Sequence, residues 1–139
     1  MATNIRIVID TNWYISATIS KKSRRAFYKI LSSNSFTILF CNELLKEYQE
    51  VIFRDKFKKI IRQAHVERFM NMVIPHIKNI KLKSKLTGSR DAKDNYLLSL
   101  SLDGHADYLL TGDLDLLVLK ETGSTRIVTL TDFFENHFS

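Results

Sequence analysis

Short apolar runs recur along the chain, and the stretches between them carry apolar residues at a helical period. The runs Ile5–Ile9 and Phe36–Phe40 are apolar almost throughout, which is typical of strands in a sheet covered on both faces. We predict further strands at residues 107–111 and 126–130. The predicted helices cover residues 23–33, 42–52, 55–62, 64–77, 92–104, 113–120 and 131–137.

This order of elements predicts the fold class. Strands that alternate with helices indicate an α/β fold with a mainly parallel sheet between helix layers. The basic stretch 79–90 is predicted to be a loop with room for one short strand, and Asn42 is predicted to cap the helix that begins there. A chain of 139 residues without repeats, low-complexity segments or linkers is expected to form one domain over residues 1–139.

Two carboxylates lie at or just beyond the ends of predicted strands. Asp10 ends the run "IRIVID", and Asp113 follows the strand at 107–111, with Asp115 two residues further on. Ligands of parallel α/β sheets bind beyond the carboxyl ends of the strands, so we expect Asp10 and Asp113 to lie at the same rim of the sheet. Asp113 and Asp115 also have a plainer interpretation, as the cap and the first-turn acid of the next helix.

Two further acids lie on predicted helices, near or on the apolar face. Glu47 borders the apolar arc of the helix at 42–52, where pairing with a lysine is the alternative to a functional role. Asp94 shares a helix face with Leu97 and Leu98, which follow it by three and four residues. A buried carboxylate is costly unless it is paired or bound to metal, so the position of Asp94 indicates function.

The type of these side chains suits a hard cation. Converging carboxylates without thiolate or imidazole partners are typical ligands of Mg²⁺ or Mn²⁺. The single cysteine, Cys41, excludes a multi-cysteine zinc site, and the four histidines show no metal-ligand spacing. Carboxylates that converge without a cation raise each other's pKa and destabilise the fold. We therefore predict Mg²⁺ or Mn²⁺, as one or two ions, at this rim.

The net charge of +6 is unevenly distributed. Residues 1–90 hold 18 Lys and Arg against 6 Asp and Glu, whereas residues 91–139 hold 3 against 9. A basic region beside an acidic one suits a polyanion held next to a metal site, although each basic cluster also fits a solvated helical surface. No apolar run approaches the ~20 residues of a membrane span and no signal-peptide pattern occurs, so we expect a soluble, cytoplasmic protein without membrane association.

With its acids in this order, the chain resembles the PIN-domain family over essentially its full length. The matching stretches are "VIDTN", "ELLKEYQEVI", "RDAKDNYLLSLS" and "ADYLLTGDLDLL". The arrangement is similar to a subgroup described as toxin components of bacterial or archaeal toxin–antitoxin pairs. The resemblance implies a three-layer α/β/α fold and Mg²⁺- or Mn²⁺-dependent ribonuclease activity. The partners to expect are then RNA, an antitoxin protein and a second copy of the chain.

The resemblance also implies roles for individual residues. Asp10, Asp94 and Asp113 match acids that hold the ion, directly or through water, and Glu47 matches an acid that holds a second ion or orients water. The implied reaction is hydrolysis of an RNA phosphodiester by metal-activated water that attacks in line. Thr11 and Asn12 match polar residues that support the first acid, Asp10, and the further supporting residues are Thr111 and Asp115. The basic cluster that we expect to bind RNA consists of Lys56, Lys58, Lys59 and Arg62.

Two other functions remain as alternatives. Asp10 could be the nucleophile of a phosphatase or phosphotransfer domain, but Asn12 stands where haloacid-dehalogenase-like proteins usually have Asp, and the acid pair of receiver domains is absent. The chain could also be a non-catalytic module that binds nucleic acid or a protein partner and keeps the acids for structure. A metal-dependent nuclease assay on the wild type and Asp10→Asn separates these functions.

Overall fold

A mainly parallel sheet forms the centre of the protein. The computed structural model describes residues 4–54, 57, 60–89, 91 and 94–138. Its strands are β1 (Ile5–Ile9), β2 (Phe36–Phe40), β3 (Ile77–Asn79), β4 (Tyr108–Leu110), β5 (Glu121–Thr122) and β6 (Thr125–Val128). They lie in the order β3-β2-β1-β4-β6-β5, and neighbouring strands are parallel except β5 and β6, which are antiparallel.

Helices connect the parallel strands and cover the sheet, as crossover connections require. Over the same residues they are α1 (Thr11–Ile19), α2 (Lys21–Ser32), α3 (Asn42–Ile52), α4 (Gln63–Val73), α5 (Asn95–Asp103), α6 (Leu114–Leu117) and α7 (Leu130–Phe138), with a 3-10 turn at Ile74–His76. None of the helices described here has both the length and the apolar character needed to cross a membrane.

Strand β1 lies in the middle of the sheet, between β2 and β4. Residues 7–9 have no exposed surface, which explains the unbroken apolar run in the sequence. The register pairs Val8 with Leu39 of β2, and β4 pairs with the other edge of β1. Asp10, the next residue, donates its backbone N–H to the carbonyl oxygen of Leu110 at 2.9 Å. The chain therefore leaves the sheet at Asp10, beside the end of β4.

Aromatic contacts show which helices lie on which face of the sheet. Tyr14 of α1 packs edge-on against Phe40 of β2, with ring centroids 5.6 Å apart. Phe133 of α7 packs against Phe36, which lies four residues before Phe40 and therefore on the same face (ring centroids 5.4 Å apart). Leu39 points the opposite way and lies against the C-terminal end of α5. Helices α1 and α7 thus cover one face, and α5 covers the other.

The predicted α/β class with a mainly parallel sheet is confirmed. The strands predicted at 107–111 and 126–130 occur as β4 and β6, with ends shifted by one or two residues. Helix α1 was not predicted, because its apolar side chains surround the helix instead of forming one stripe. Strand β5 was not predicted either, since two residues carry no usable periodicity.

Several predicted boundaries are wrong. The helix predicted at 64–77 ends as α4 at Val73, because the 3-10 turn that contains Pro75 and then β3 follow it. Cys41, in extended conformation, occupies the cap position of α3, and Asn42 is already the first helical residue. The helix predicted from residue 92 is described from α5 onward and ends at Gly104 as expected. Most of the helix predicted at 55–62 lies outside the described residues.

Candidate active site

Asp10 lies at the junction of β1 and α1 and is only 5% exposed. Its Oδ2 accepts a hydrogen bond from the Thr111 hydroxyl at 2.5 Å, and its Oδ1 accepts one from the backbone N–H of Asn12 at 3.3 Å. Burial raises the pKa of Asp10 above its ordinary value of 3.8, against the lowering effect of these two bonds. The charges of Glu47 and Asp113 raise this pKa further. A nearby cation would therefore stabilise the ionised form of Asp10.

The loop after β4 links Asp10 to Asp113. Thr111 is completely buried, and its hydroxyl both donates to Asp10 and accepts the backbone N–H of Asp113 at 3.0 Å. Asp113 in turn caps α6, because its Oδ1 accepts the backbone N–H of Asp115 at 2.8 Å. Thr111 therefore connects the two acids that follow strands. Asp113 is a helix cap as well as a member of this group, so its two interpretations are compatible.

Asp94 directly precedes α5, and its side chain makes no capping hydrogen bond. The residue is 8% exposed, and its buried Oδ2 has no hydrogen-bond partner among the residues that the structure describes. Burial is the main cause that raises the pKa of Asp94 to about 8, followed by a hydrogen bond between its neutral form and Asp113. The negative charges of Asp113, Asp10 and Asp91 act in the same direction. Asp94 thus adjoins the two strand-end acids.

Glu47 of α3 is held by hydroxyl groups from two other helices. The Thr11 hydroxyl donates to Oε2 of Glu47 at 2.9 Å, and the Tyr96 hydroxyl donates to the same oxygen. The two hydroxyl oxygens are 2.7 Å apart. Thr11 was predicted to support Asp10, but its hydroxyl supports Glu47 instead. Asn12, predicted in the same role, holds Asp10 through its backbone N–H while its side chain is exposed.

Tyr96 is a member of this group that the sequence analysis did not predict. It lies in the first turn of α5, two residues after Asp94, and its phenol reaches across to α3. Burial and the hydrogen bond with Glu47 raise the pKa of the Tyr96 phenol, so the phenol remains a donor. The signal in the sequence was weak, because an aromatic residue beside Leu97 is most simply interpreted as part of the core.

The acid set fits a divalent cation by its chemistry. Two buried carboxylates with raised pKa values, and one buried carboxylate oxygen without a described partner, are features that a hard cation satisfies. As the side chains stand, no three or more His, Cys, Asp or Glu residues in the described ranges are grouped so that they could hold a metal. The Asp10 carboxylate instead accepts a hydrogen bond from Thr111, and the Glu47 carboxylate accepts one from Thr11. The metal site therefore stays a prediction.

The predicted RNA-binding cluster is described at one position. Arg62 is exposed and precedes α4, and its backbone N–H donates to Nδ1 of His65 at 3.4 Å. Lys56, Lys58 and Lys59 lie outside the described residues. RNA binding by this cluster stays a prediction.

Comparison with known proteins assigns the chain to a family. The fold and the rim acids define an α/β protein with a carboxylate-rich site beyond the ends of its parallel strands. The family described as "PIN domain" matches residues 6–115, which include Asp10, Glu47, Asp94 and Asp113. The chain therefore belongs to the PIN-domain family, whose members are typically metal-dependent nucleases.

The solved structures that resemble this fold include two with low sequence identity. PAE2754 from Pyrobaculum aerophilum matches with a TM-score of 0.61 and 13% sequence identity, over 98% of this chain and 97% of that chain. A domain of a functionally unknown protein from Methanocaldococcus jannaschii matches with a TM-score of 0.52 and 19% identity, over 89% of each chain. At these identities the likeness shows the fold alone. Comparison with curated proteins finds no match.

Proposed function

We propose that this protein is a Mg²⁺- or Mn²⁺-dependent ribonuclease that hydrolyses phosphodiester bonds of RNA. The observation that carries the proposal is Asp94, a buried carboxylate beside Asp113 whose Oδ2 has no partner in the described part of the chain. Such a group destabilises a fold unless a proton or a cation neutralises it. Membership of a family of nucleases supports phosphodiester chemistry, and the basic N-terminal two thirds of the chain support a polyanionic substrate.

The residues of the site then have distinct tasks. Asp10, Asp94 and Asp113 would hold the ion, and Glu47 would hold a second ion or orient the attacking water. A bound divalent ion supplies charge stabilisation at the phosphate oxygens and lowers the pKa of water. Thr111 keeps the Asp10 carboxylate in place through its 2.5 Å hydrogen bond.

A cleavage assay tests this proposal. Single-stranded RNA and DNA of the same sequence are incubated with the wild type, Asp10→Asn and Asp132→Asn, with Mn²⁺ or with a chelator. Asp132 is an exposed acid of α7 and controls for the same isosteric change. We expect metal-dependent cleavage of RNA that falls at least ~100-fold in Asp10→Asn, since about 1.4 kcal/mol corresponds to tenfold in rate. Equal rates in Asp10→Asn and the wild type would rule out this site as the nuclease centre.

We further propose that the protein is the toxin of a toxin–antitoxin pair in the cytoplasm, with an antitoxin protein as its partner. The sequence similarity of its four motifs to that subgroup supports this role. Induced expression should arrest growth in the wild type and in Asp132→Asn but not in Asp10→Asn. Co-expression of a small protein encoded beside the gene should relieve the arrest. Normal growth with active, folded wild-type enzyme would separate the toxin role from the nuclease activity and exclude the former.

A further inference from the structure

Residues 80–89, here called the strap, run along α5. No regular secondary structure is assigned to the strap, but side chains of α5 fix its backbone at three points by accepting N–H groups at 2.7 to 3.3 Å. The acceptors and their donors are Asp103 with Lys83 and Ser84, Ser99 with Leu86, and Asn95 with Gly88 and Ser89. The strap is therefore ordered before any ligand binds.

Exposure alternates along the strap. Lys81, Lys83 and Lys85 are exposed, whereas the residues between and after them, Leu82, Ser84 and Leu86, are half-buried. Such alternation is typical of an extended chain, in which side chains two residues apart point the same way and are about 6.6 Å apart, twice the rise per residue. The three lysines, here called the lysine row, therefore form an evenly spaced line of positive charge on one side of the strap.

A groove lies between two residues of the lysine row and Tyr96, a neighbour of the candidate active site. It has a volume of about 310 Å³, and its walls include Lys83 and Lys85 of the strap and Tyr96 of α5. Tyr96 also donates its hydroxyl to Glu47, so one side chain belongs to both the groove and the candidate active site. The groove and the candidate active site therefore adjoin each other at Tyr96.

Two acids lie near the lysine row. Asp103 is hydrogen-bonded to the strap: its carboxylate accepts the backbone N–H groups of Lys83 and Ser84 and the Ser84 hydroxyl. The positive charge of Lys83 contributes to lowering the pKa of Asp103. Glu43 of α3 also lines the groove. The row therefore keeps an excess of positive charge over these neighbours.

We infer that the lysine row binds the phosphates of single-stranded RNA and guides the strand through the groove to the acids. The inference rests on the proposed function, since it takes RNA as the ligand. Proteins that bind single strands combine a positive groove along the backbone with aromatic side chains, and Tyr96 lies in this groove. The anchored strap loses little conformational freedom on binding, which favours affinity.

The test removes the same number of charges at two places. The row variant carries Lys81→Gln, Lys83→Gln and Lys85→Gln. The control variant carries three substitutions at exposed lysines of α2, which border a separate groove with Phe134. Those substitutions are Lys21→Gln, Lys22→Gln and Lys29→Gln. Both variants have the same net charge, so long-range attraction of RNA falls equally in both.

Binding of a labelled single-stranded RNA of about 12 nucleotides is measured by fluorescence anisotropy in EDTA, between about 50 and 200 mM salt. For the row variant we expect affinity to fall at least ~10-fold, and the slope of log K against log salt to become shallower by about 2, since each phosphate contact contributes about 0.7. The control variant should keep the slope of the wild type. Equal losses in both variants, or no RNA binding by the wild type, would overturn the inference.

Hydrolysis of bis(p-nitrophenyl) phosphate with Mn²⁺ separates this inference from the proposed function. That small diester does not reach the lysine row, so the row variant should hydrolyse it at the wild-type rate while its KM for RNA rises. If the wild type binds RNA through the row but hydrolyses neither substrate, the proposed function fails and the inference stands. If the wild type hydrolyses both and the row variant cleaves RNA like the control variant, the inference fails alone.

Discussion

Replacement of Asp94 by Asn should stabilise the metal-free protein at neutral and alkaline pH. Burial and the neighbouring acids raise the pKa of Asp94 from an ordinary 3.8 to about 8. Between these values the folded protein holds a proton that the unfolded chain releases. The stability contributed by the protonated carboxyl is fully present below pH 3.8 and is lost as the pH rises through about 8. The free energy of unfolding should therefore fall across this window and then level off.

The structure sets the size of this effect. At 1.36 kcal/mol per pH unit, the difference between the two pKa values has a ceiling of about 6 kcal/mol. Asp113 shares the proton, so the two carboxyls titrate as a pair and the amount assigned to Asp94 is smaller. The amide introduced by Asp94→Asn would remain neutral at every pH and would offer an N–H donor to the Asp113 carboxylate. We expect a gain of about 2–3 kcal/mol at pH 8, with little gain near pH 4.

Urea unfolding followed by circular dichroism measures this change. The wild type, Asp94→Asn and the exposed-site control Asp132→Asn are compared in EDTA between about pH 4 and pH 9. The difference between Asp94→Asn and the wild type should grow with pH, whereas Asp132→Asn should follow the wild type. A wild-type stability that does not fall over this range, or an Asp94→Asn variant that is less stable at pH 8, would refute the burial argument.

Three further predictions concern the metal, Tyr96 and the end of α5. Mn²⁺ should raise the melting temperature of the wild type, because an ion that binds only the folded state stabilises it, and Asp94→Asn should lose most of that rise; an equal rise in the variant removes Asp94 from the site. Tyr96→Phe should lower metal-dependent cleavage about 10-fold at unchanged KM, since Glu47 loses a hydrogen bond to a charged oxygen; an unchanged rate refutes a positioning role. Gly104→Ala should cost about 1–3 kcal/mol in urea unfolding, because the added Cβ would lie 2.7 Å from a side-chain atom of β2 and 2.9 Å from a carbonyl oxygen of α5. Gly112→Ala, with nothing within 4 Å, is its control, and equal stability of the two would contradict the packing argument.

The positions of the acids at the strand ends could be predicted from the sequence, because the apolar pattern of β1 allows few other interpretations. Residues 7–9 are completely buried, so an apolar run of this length indicates a central strand, and the polar residue that ends it must lie at a rim. The same reasoning applies to β4 and Asp113. The buried position of Asp94 was predicted from the helical period alone. The structure agrees with it, because α5 buries the face that carries Leu97.

The hydrogen bonds that connect these acids could not be predicted from the sequence, because they depend on which strands and helices lie next to each other. Thr111 can bond Asp10 only because β4 pairs directly with β1, and strand order does not follow from hydrophobic period. Tyr96 meets Glu47 because α5 and α3 approach each other at the rim, 49 residues apart in sequence. Thr11 was assigned to the wrong acid for the same reason. The contacts between side chains thus could not be predicted, even where the helices and strands that carry them were predicted correctly.

An acid lies at each end of helix α5. Replacement of each acid by Asn should change the stability of the protein, in opposite directions at the two ends. The helix dipole favours negative charge before the first turn, where Asp94 lies, and disfavours it at the last residue, Asp103. The pKa shifts of the two acids are opposite to those that the helix dipole alone would cause. Burial raises that of Asp94 to about 8, whereas hydrogen bonds from Ser84 and Lys83 lower that of Asp103. Local contacts therefore outweigh a dipole effect of about 0.3–1 kcal/mol.

Asp103→Asn should then destabilise the protein at neutral pH, because the strap loses an ionised acceptor for two backbone N–H groups and a hydroxyl. The contribution of Asp103 is present above pH 3.8 and is lost as the pH falls through its lowered pKa, so the deficit of the variant should shrink in acid. The advantage of Asp94→Asn over the wild type should instead grow as the pH rises, because the wild type loses stability. Urea unfolding of both variants in EDTA measures the two signs together. If both signs are reversed at pH 8, so that Asp94→Asn destabilises the protein and Asp103→Asn stabilises it, the helix dipole governs these acids. A loss of stability in Asp94→Asn alone would already refute an unsatisfied carboxylate at Asp94.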